Sequence, residues 1–162
     1  MSDTLSIVVK NNVEIISHTT GLGAHGERLA VRHLGSNGYQ VVMTNFKVPV
    51  GRNSKGVAVT GEIDIVALDG ETLCFVEVKT RRSDEFTRIT TNVDLRKQRQ
   101  ITRTAKVYRR IFNLWDMPHR FDVVTVLMPK HSEPAIEIIK NFWSEARFAK
   151  RTWNDQAWQE YP

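Results

Sequence analysis

The chain has 162 residues, 41% of them hydrophobic and 25% charged, with a formal net charge of +5. This length suits one domain with a single core, and no run approaches the roughly 18 apolar residues that span a bilayer. The N-terminus has no basic segment followed by a long apolar core, so no signal peptide is predicted. The single cysteine, Cys74, is typical of a reducing compartment, so we expect a cytoplasmic protein without a membrane partner.

The predicted elements, in chain order, are an arm or small hairpin, a helix, a strand, a polar loop, two strands, a helix and two last strands. They occupy residues 1–20, 21–38, 39–48, 49–60, 61–68, 71–80, 92–113, 121–128 and 135–139. Period-two alternation indicates the strands and spacings of three and four indicate the helices, the second of them capped by Asn92. Residues from 142 onward carry tryptophans and are read as one more helix. This order predicts an α/β fold, a mixed sheet flanked by helices in a single domain.

Asp69-Gly70 between alternating apolar residues is a strong hairpin signal. A two-residue turn there pairs Leu68 with Glu71, and period two then separates a polar from an apolar face. The polar face holds Glu62, Asp64, Phe75, Glu77 and Lys79, and the apolar face, expected to be core, holds Ile63, Ile65, Cys74, Val76 and Val78. Asp64 and Glu77 become diagonal neighbours, close enough for both carboxylates to bind one ion.

Two carboxylates without His or Cys partners suit Mg²⁺ or Mn²⁺. A lysine on the same face can lower the pKa of a metal-bound water or neutralise charge that develops on a phosphate. Asp64, Glu77 and Lys79 therefore fit attack on a phosphodiester. The alternative is that Glu77 and Lys79 form a surface ion pair on an exposed face, worth about 0–1 kcal/mol.

Two segments carry a family resemblance: 61–64 (Gly-Glu-Ile-Asp) and 75–81 (Phe-Val-Glu-Val-Lys-Thr-Arg). They resemble the PD-(D/E)XK nuclease superfamily, and within it the YraN-type family, which is similar to archaeal Holliday-junction resolvases. Further matching segments are Gly23-x-x-Gly26-Glu27, Gly38-Tyr39, Asn45-Phe46, Lys97-Gln98-Arg99 and Arg120-Phe121-Asp122. The likeness covers about residues 21–143, which leaves 1–20 as an arm and 144–162 as a C-terminal extension.

The resemblance implies a restriction-endonuclease-like core with a metal-dependent phosphodiesterase site. Asp64 and Glu77 would be metal ligands and Lys79 the catalytic lysine. Glu27 matches a further acidic position that would complete both the ligand set and the catalytic set, and Gln98 matches a glutamine that some superfamily members use in catalysis. From the residues alone, Glu27 reads equally as an ordinary acid in the first part of a helix.

Residues 79–110 contain 11 Lys and Arg against three acids, a net +8 that leaves −3 for the remaining residues. Such a local field favours a polyanion, and nucleic acid, DNA above all, is the expected partner. One helical face would carry Arg96, Arg99, Arg103, Lys106 and Arg110, opposite Ile101, Ala105, Tyr108 and Phe112. The same surface would extend through Arg52, Lys55, Arg81, Arg82 and Lys97. The alternative is the solvated polar face that any amphipathic helix needs.

The sequence thus predicts a metal-dependent, endonuclease-type hydrolase that acts on DNA, including branched or structured DNA. The alternative from a different class is a nucleic-acid-binding protein that keeps the nuclease fold with little or no catalytic activity. A role in protein interaction through the tryptophan-bearing tail is the reading left if no nucleic acid binds. Because resolvase-like relatives commonly act as dimers, the resemblance also implies a homodimer.

Overall fold

Helix, three strands, helix and two strands follow one another along the chain, as the hydrophobic pattern predicted. The computed structural model describes residues 21–82 and 93–149, so the predicted arm at 1–20 and the tail beyond 149 lie outside the described residues. The elements are α1 (Leu22–Ser36), β1 (Gln40–Arg52), β2 (Ala58–Asp69), β3 (Thr72–Arg81), α2 (Leu95–Ile111), β4 (His119–Leu127), β5 (Ala135–Trp143) and a 3-10 helix (Glu145–Phe148). Within these ranges, no helix combines the length and the apolar character needed to cross a membrane.

The five strands form one mixed sheet in the order β1-β2-β3-β4-β5. All neighbours are antiparallel except β3 and β4, which are parallel. A parallel pair needs a crossover connection, and α2 lies in that connection. This arrangement confirms the predicted α/β fold, a mixed sheet flanked by two helices in a single domain, and is consistent with a restriction-endonuclease-like core.

Each face of the sheet is covered by one helix, so there are two hydrophobic clusters. The α2 side includes Ile63, Val66, Leu68, Leu73, Phe75, Ile101, Tyr108, Phe121, Val123 and Trp143. The α1 side includes Ala30, Leu34, Tyr39, Ile65, Ala67, Cys74, Val76, Val124 and Val126. Burying a large aliphatic or aromatic side chain contributes about 1.5–3 kcal/mol. The face that was predicted to be polar is a second core over most of the hairpin, because Val66, Leu68, Leu73 and Phe75 all lie in the cluster on the α2 side. The prediction of one polar and one apolar face was therefore wrong there.

Two glycines let both helices approach the strands closely. A Cβ added at Gly26 on α1 would collide with the side chain of Thr80 on β3, and one added at Gly61 on β2 would collide with Thr104 on α2. No larger residue fits at either position without moving a helix away from the sheet. Both contacts lie close in sequence to predicted site residues, and they bring α1 and α2 onto β3 and β2.

The predicted polar loop at 49–60 is mostly strand. β1 continues to Arg52 and β2 begins at Ala58, joined by a short turn in which the Asn53 side-chain oxygen accepts from the amides of Lys55 (2.9 Å) and Val57 (3.0 Å). Pro49 is tolerated because β1 lies at the edge of the sheet that the described strands form. The proline and the two glycines of this segment led to the prediction of a loop where the structure has an extended hairpin.

The ends of two later elements also differ from prediction. The N-cap of α2 is Asp94, whose Oδ1 accepts from the Lys97 amide at 2.7 Å, whereas the predicted cap, Asn92, lies outside the described residues. The helix predicted from residue 142 is wrong in the described part, because β5 runs on to Trp143 and only a 3-10 turn follows. Trp143 stacks on Phe121 with ring centroids 4.8 Å apart, so this tryptophan packs in the core.

Candidate active site

The hairpin between β2 and β3 has a different register from the predicted one. Asp69 pairs with Thr72, so Gly70 and Glu71 occupy the two turn positions. Gly70 has a positive φ of 60° and is the first of them, which is where a type II′ turn requires glycine. The predicted partners are thus wrong by two residues, a shift that keeps each side chain on its face.

The sheet forks at the predicted site. Pairing between β2 and β3 runs from Asp69↔Thr72 only to Ile65↔Val76, while β2 continues against β1 and β3 continues against β4. Two residues beyond Val76, the Val78 amide donates to Asp64 Oδ2 at 2.8 Å, so a side chain of β2 takes the place of a backbone carbonyl there. Extended by one residue, the register sets Asp64 directly across from Glu77 instead of on the diagonal.

A change of phase accompanies the fork. Asn45 on β1 has φ of 53° and lies between the pairs Thr44↔Ile65 and Phe46↔Ile63, which places it opposite Asp64. An asparagine tolerates this left-handed conformation better than most residues. On β2, Ile63 packs on the α2 side although Ile65, two residues away, packs on the α1 side, so the period of two is interrupted between them. The predicted apolar face is therefore incorrect for Ile63.

Glu77 is buried, with 2% of its surface exposed. Its Oε1 lies 2.8 Å from Lys79 Nζ, so the ion pair considered in the sequence exists, but at a buried carboxylate instead of an exposed face. Its Oε2 is also buried and accepts no hydrogen bond from any described residue. A buried carboxylate oxygen without a donor is destabilising, so a cation or a ligand that binds beside it is favourable.

Asp64 is partly buried beside Glu77. Burial is the largest cause that raises the pKa of Asp64, and the neighbouring charge of Glu77 raises it further. The Val78 amide opposes both effects by donating to the charged form, as does the nearby Lys97. Because the charge of Glu77 raises the pKa of Asp64, the two carboxylates lie close together, as two ligands of one ion must.

The structure places the side chain of Lys97, and not that of Gln98, beside Glu77. Lys97 Nζ lies 3.4 Å from Glu77 Oε2, so this predicted nucleic-acid contact faces the carboxylate site. The Gln98 amide donates to the Val93 carbonyl at 2.7 Å and its oxygen accepts from Arg147 at 3.4 Å, and within the described ranges it contacts neither carboxylate. Lys97 lies one helical turn before Ile101, on the apolar stripe, and this spacing could have placed it against the sheet.

Glu27 lies on α1 beside the site. Its Oε2 accepts from the Asn45 side-chain amide at 3.3 Å, and its charge contributes to the raised pKa of Asp64. No three His, Cys, Asp or Glu side chains in the described ranges converge closely enough to form a metal cluster by themselves. The structure therefore brings together Asp64 and Glu77, with Glu27 in a neighbouring position.

The donor set fits a hard cation. Mg²⁺ in proteins is commonly held by one or two carboxylates, the remaining positions being filled by water and substrate phosphate. Asp64 supplies one carboxylate and Glu77 another, the latter with a buried oxygen that accepts no hydrogen bond from the described residues. The residues present fit Mg²⁺ or Mn²⁺ in this way without a third ligand.

The predicted basic stripe on α2 is exposed but partly covered. All five of its members are solvent-accessible: Arg96, Arg99, Arg103, Lys106 and Arg110. Lys106 forms an ion pair with Glu145 (3.0 Å), and the guanidinium of Arg99 lies 5.6 Å from the centre of the Phe148 ring. The 3-10 helix after β5 thus occupies part of the stripe, and Arg96, Arg103 and Arg110 have no partner among the described residues.

The other predicted cations are also exposed. Arg52 and Lys55 lie at the tip of the β1–β2 hairpin, where the Arg52 guanidinium donates to the Gly56 carbonyl at 2.6 Å. Arg81 and Arg82 follow Lys79 at the end of β3, and Arg81 donates to the Thr80 carbonyl at 3.2 Å. Two of these four cations are therefore already engaged with backbone oxygens.

Sequence comparison adds to this geometry. The model described as "Uncharacterised protein family UPF0102" matches residues 26–126, a range that includes Glu27, Asp64, Glu77, Lys79 and Lys97. This chain belongs to the UPF0102 family. The family is the YraN-type group of the PD-(D/E)XK nuclease superfamily, as the motifs suggested.

Similar proteins in the family come from several bacteria. A UPF0102 protein of Geotalea uraniireducens is 41% identical over 120 residues, which cover 74% of this chain and 87% of the relative. One from Chlorobaculum tepidum is 41% identical over 115 residues, covering 71% and 81%. A solved structure titled "Crystal structure of SSO0001" aligns with 17% identity and a TM-score of 0.34, covering 78% of this chain and 54% of that one. That similarity is too weak to support a structural comparison.

Proposed function

We propose that this UPF0102 protein is a metal-dependent nuclease that hydrolyses phosphodiester bonds in DNA, with Asp64 and Glu77 binding Mg²⁺ or Mn²⁺. The observation that carries the proposal is the buried carboxylate of Glu77, one oxygen of which accepts no hydrogen bond within the described ranges. An ion bound there would act as a Lewis acid on the phosphate and lower the pKa of a coordinated water.

The residues of the chain then divide the remaining work. Glu77 holds the Lys79 ammonium at 2.8 Å through Oε1, and its Oε2, which lies 3.4 Å from Lys97 Nζ, is the oxygen assigned to the ion. Lys79 is about a quarter exposed, so its ammonium can reach a bound phosphate and neutralise the charge that develops in the transition state. The Val78 amide fixes the Asp64 carboxylate through Oδ2. These contacts orient the site before any substrate arrives.

Exposed cations supply the substrate surface in this proposal. Arg96 lies one residue before Lys97, and Arg103 and Arg110 extend the line away from the site along α2 over about 20 Å. Such a row can follow a phosphate backbone, and affinity would then fall as salt rises. The exposed Lys55 at the hairpin tip is a second, separate contact point.

The test is cleavage of duplex, single-stranded, flap and four-way-junction DNA, with an RNA control, in the presence of Mg²⁺ or Mn²⁺. We expect cleavage that requires the metal and that is lost in both Asp64→Ala and Lys79→Ala proteins. Lys140→Ala is a matched control, because Lys140 pairs with Asp69 at the far end of the hairpin, about 17 Å along β2 from Asp64. Cleavage that persists unchanged in both site variants would refute the proposal.

The second candidate is a nucleic-acid-binding protein with this fold and little catalytic activity. It is favoured by Arg96, Arg103 and Arg110, which are exposed and have no partner among the described residues. It predicts binding that weakens steeply with salt, no cleavage with either metal, and a smaller salt dependence when these three arginines are replaced by glutamine. Metal-dependent cleavage that the site variants abolish excludes it.

A further inference from the structure

Lys97 reaches the carboxylate site from a different element than the other site residues. It is the third residue of α2, and its amide donates to the N-cap Asp94 at 2.7 Å. Its side chain extends toward β3 and ends with Nζ 3.4 Å from Glu77 Oε2, with 28% of the side chain exposed. The N-cap thus fixes the backbone of Lys97, the residue whose ammonium lies beside Glu77.

The contact between Lys97 and Glu77 is a longer ion pair than the one between Lys79 and Glu77. At Oε1 the Lys79 ammonium approaches to 2.8 Å, whereas Oε2 has Lys97 at 3.4 Å and accepts no hydrogen bond within the described ranges. Asp64 also responds to Lys97, whose charge lowers the pKa of Asp64. Lys97 therefore lies beside the Glu77 oxygen assigned to the ion and within electrostatic range of Asp64.

We propose that Lys97 is a built-in counter-ion of the metal site. In the metal-free protein its ammonium balances the charge of Asp64 and Glu77, and it competes with the divalent ion for Glu77 Oε2. The inference rests on the proposed function, because it assigns both carboxylates to the ion. Lys97 is a positioning residue in this scheme: it stabilises the empty site and lowers metal affinity, since like charges a few ångströms apart repel.

The experiment compares Lys97→Met with wild type by titration calorimetry with Mn²⁺, in the absence of nucleic acid. We expect Mn²⁺ to bind Lys97→Met on the order of tenfold more tightly, the size of effect that a unit charge within about 4–6 Å produces. Lys97→Arg keeps the charge and is expected to bind Mn²⁺ as wild type does. Lys140→Met is the matched control, because it removes a lysine–carboxylate pair of 2.8 Å outside the site.

Melting temperatures with and without Mn²⁺ separate this role from a purely structural one. The counter-ion role predicts a lower melting temperature for metal-free Lys97→Met and a much smaller deficit with saturating Mn²⁺. An equal deficit in both conditions, or unchanged Mn²⁺ affinity, overturns it. If Lys97→Met folds only with Mn²⁺ the inference is supported, and failure to fold even with Mn²⁺ overturns it.

The same titrations distinguish this inference from the proposed function. A wild-type protein that cleaves DNA and binds Mn²⁺, with a Lys97→Met variant that binds it no more tightly, overturns the counter-ion role alone. A wild-type protein that binds neither Mn²⁺ nor Mg²⁺ overturns both.

Discussion

Two buried carboxylates on the neighbouring parallel strands β3 and β4 have opposite surroundings. Asp122 is completely buried, and both of its oxygens accept hydrogen bonds, from Arg120 Nε (3.0 Å to each oxygen), the Asn141 amide (2.9 Å) and the Tyr39 hydroxyl (3.4 Å). Glu77 is buried almost as deeply, yet one of its oxygens accepts no hydrogen bond in the described part of the chain.

This difference in hydrogen bonding distinguishes a carboxylate that supports the fold from one that is suited to bind a ligand. A buried charge that is fully hydrogen-bonded and paired can be retained for the fold, and Asp122 links β4 to Asn141 on β5 and to Tyr39, three residues after α1. A buried charge with an unsatisfied oxygen destabilises the fold unless a ligand compensates. Of the two buried carboxylates, Glu77 is therefore the less favourable for the stability of the fold.

Removing the satisfied carboxylate should have the largest effect. Asp122→Ala leaves Arg120 without its buried partner and opens a cavity, so we expect the free energy of unfolding in urea to fall by about 3–5 kcal/mol. Arg120 keeps its 2.6 Å contact with Asp69, which is more exposed, and its 2.9 Å hydrogen bond to the Tyr39 hydroxyl. A loss below about 1 kcal/mol would show that the network around Asp122 is not what holds these strands together.

Glu77→Gln should give the reverse pattern. It removes a buried charge whose two lysine partners, Lys79 and Lys97, are about a quarter exposed and can remain hydrated, so the free energy of unfolding of the metal-free protein is expected to change by less than about 1 kcal/mol. Metal-dependent cleavage is expected to fall by about 100-fold or more, because one proposed ligand loses its charge. Parallel urea denaturation and cleavage assays measure both; a strongly destabilised variant would place Glu77 with Asp122 as a structural residue.

The pH dependence of stability sharpens the same contrast. The pKa of Asp64 is raised in the folded state by burial and by Glu77, so ionised Asp64 destabilises the fold at pH values above its unfolded pKa. Metal-free Asp64→Asn should then be more stable than wild type at pH 8, by about 1–2 kcal/mol, and this advantage should shrink as pH falls toward 4. Urea midpoints across this range provide the measurement, and an advantage that grows on acidification would contradict it.

Two buried tyrosines repeat the contrast on a smaller scale. The Tyr108 hydroxyl has no partner among the described residues, whereas the Tyr39 hydroxyl accepts from Arg120 at 2.9 Å and donates to Asp122. Tyr108→Phe is expected to leave stability unchanged or to raise it by up to about 1 kcal/mol, while Tyr39→Phe should lower it by about 1 kcal/mol. Thermal melts of the two variants check the sign of each, and destabilisation by both would remove the distinction.

Much of this fold follows from local pattern, and much of the site does not. Alternation and the glycine at 70 were sufficient to predict the β2–β3 hairpin, and the apolar spacing of α2 predicted its buried face. The register depended on which residues filled the turn, and the change of face between Ile63 and Ile65 departs from the period of two on which the prediction relied. Asp64, Glu77 and Lys79 were predicted to lie together and do so, because a shift of two residues preserves the face.

Lys97 illustrates what a different use of the sequence would have found. Counting it with the basic residues assigned it to the surface, whereas its spacing of four from Ile101 and of eight from Ala105 places it on the stripe that meets the sheet. Gln98 was selected by resemblance and contacts Val93 and Arg147 instead. Periodicity was the better guide here, since it reports which way a side chain points.

The side-chain hydrogen bond at the fork gives the site its own spectroscopic reporter. The Val78 amide is bonded to Asp64 Oδ2, whereas its neighbours on β3 donate to backbone carbonyls across the sheet. The nitrogen chemical shift of this amide and its rate of hydrogen exchange should therefore change whenever Asp64 gains a proton or a metal ion, while neighbouring amides stay nearly constant. A single backbone signal in an NMR spectrum would then follow the occupancy of the site during a titration, without an engineered label.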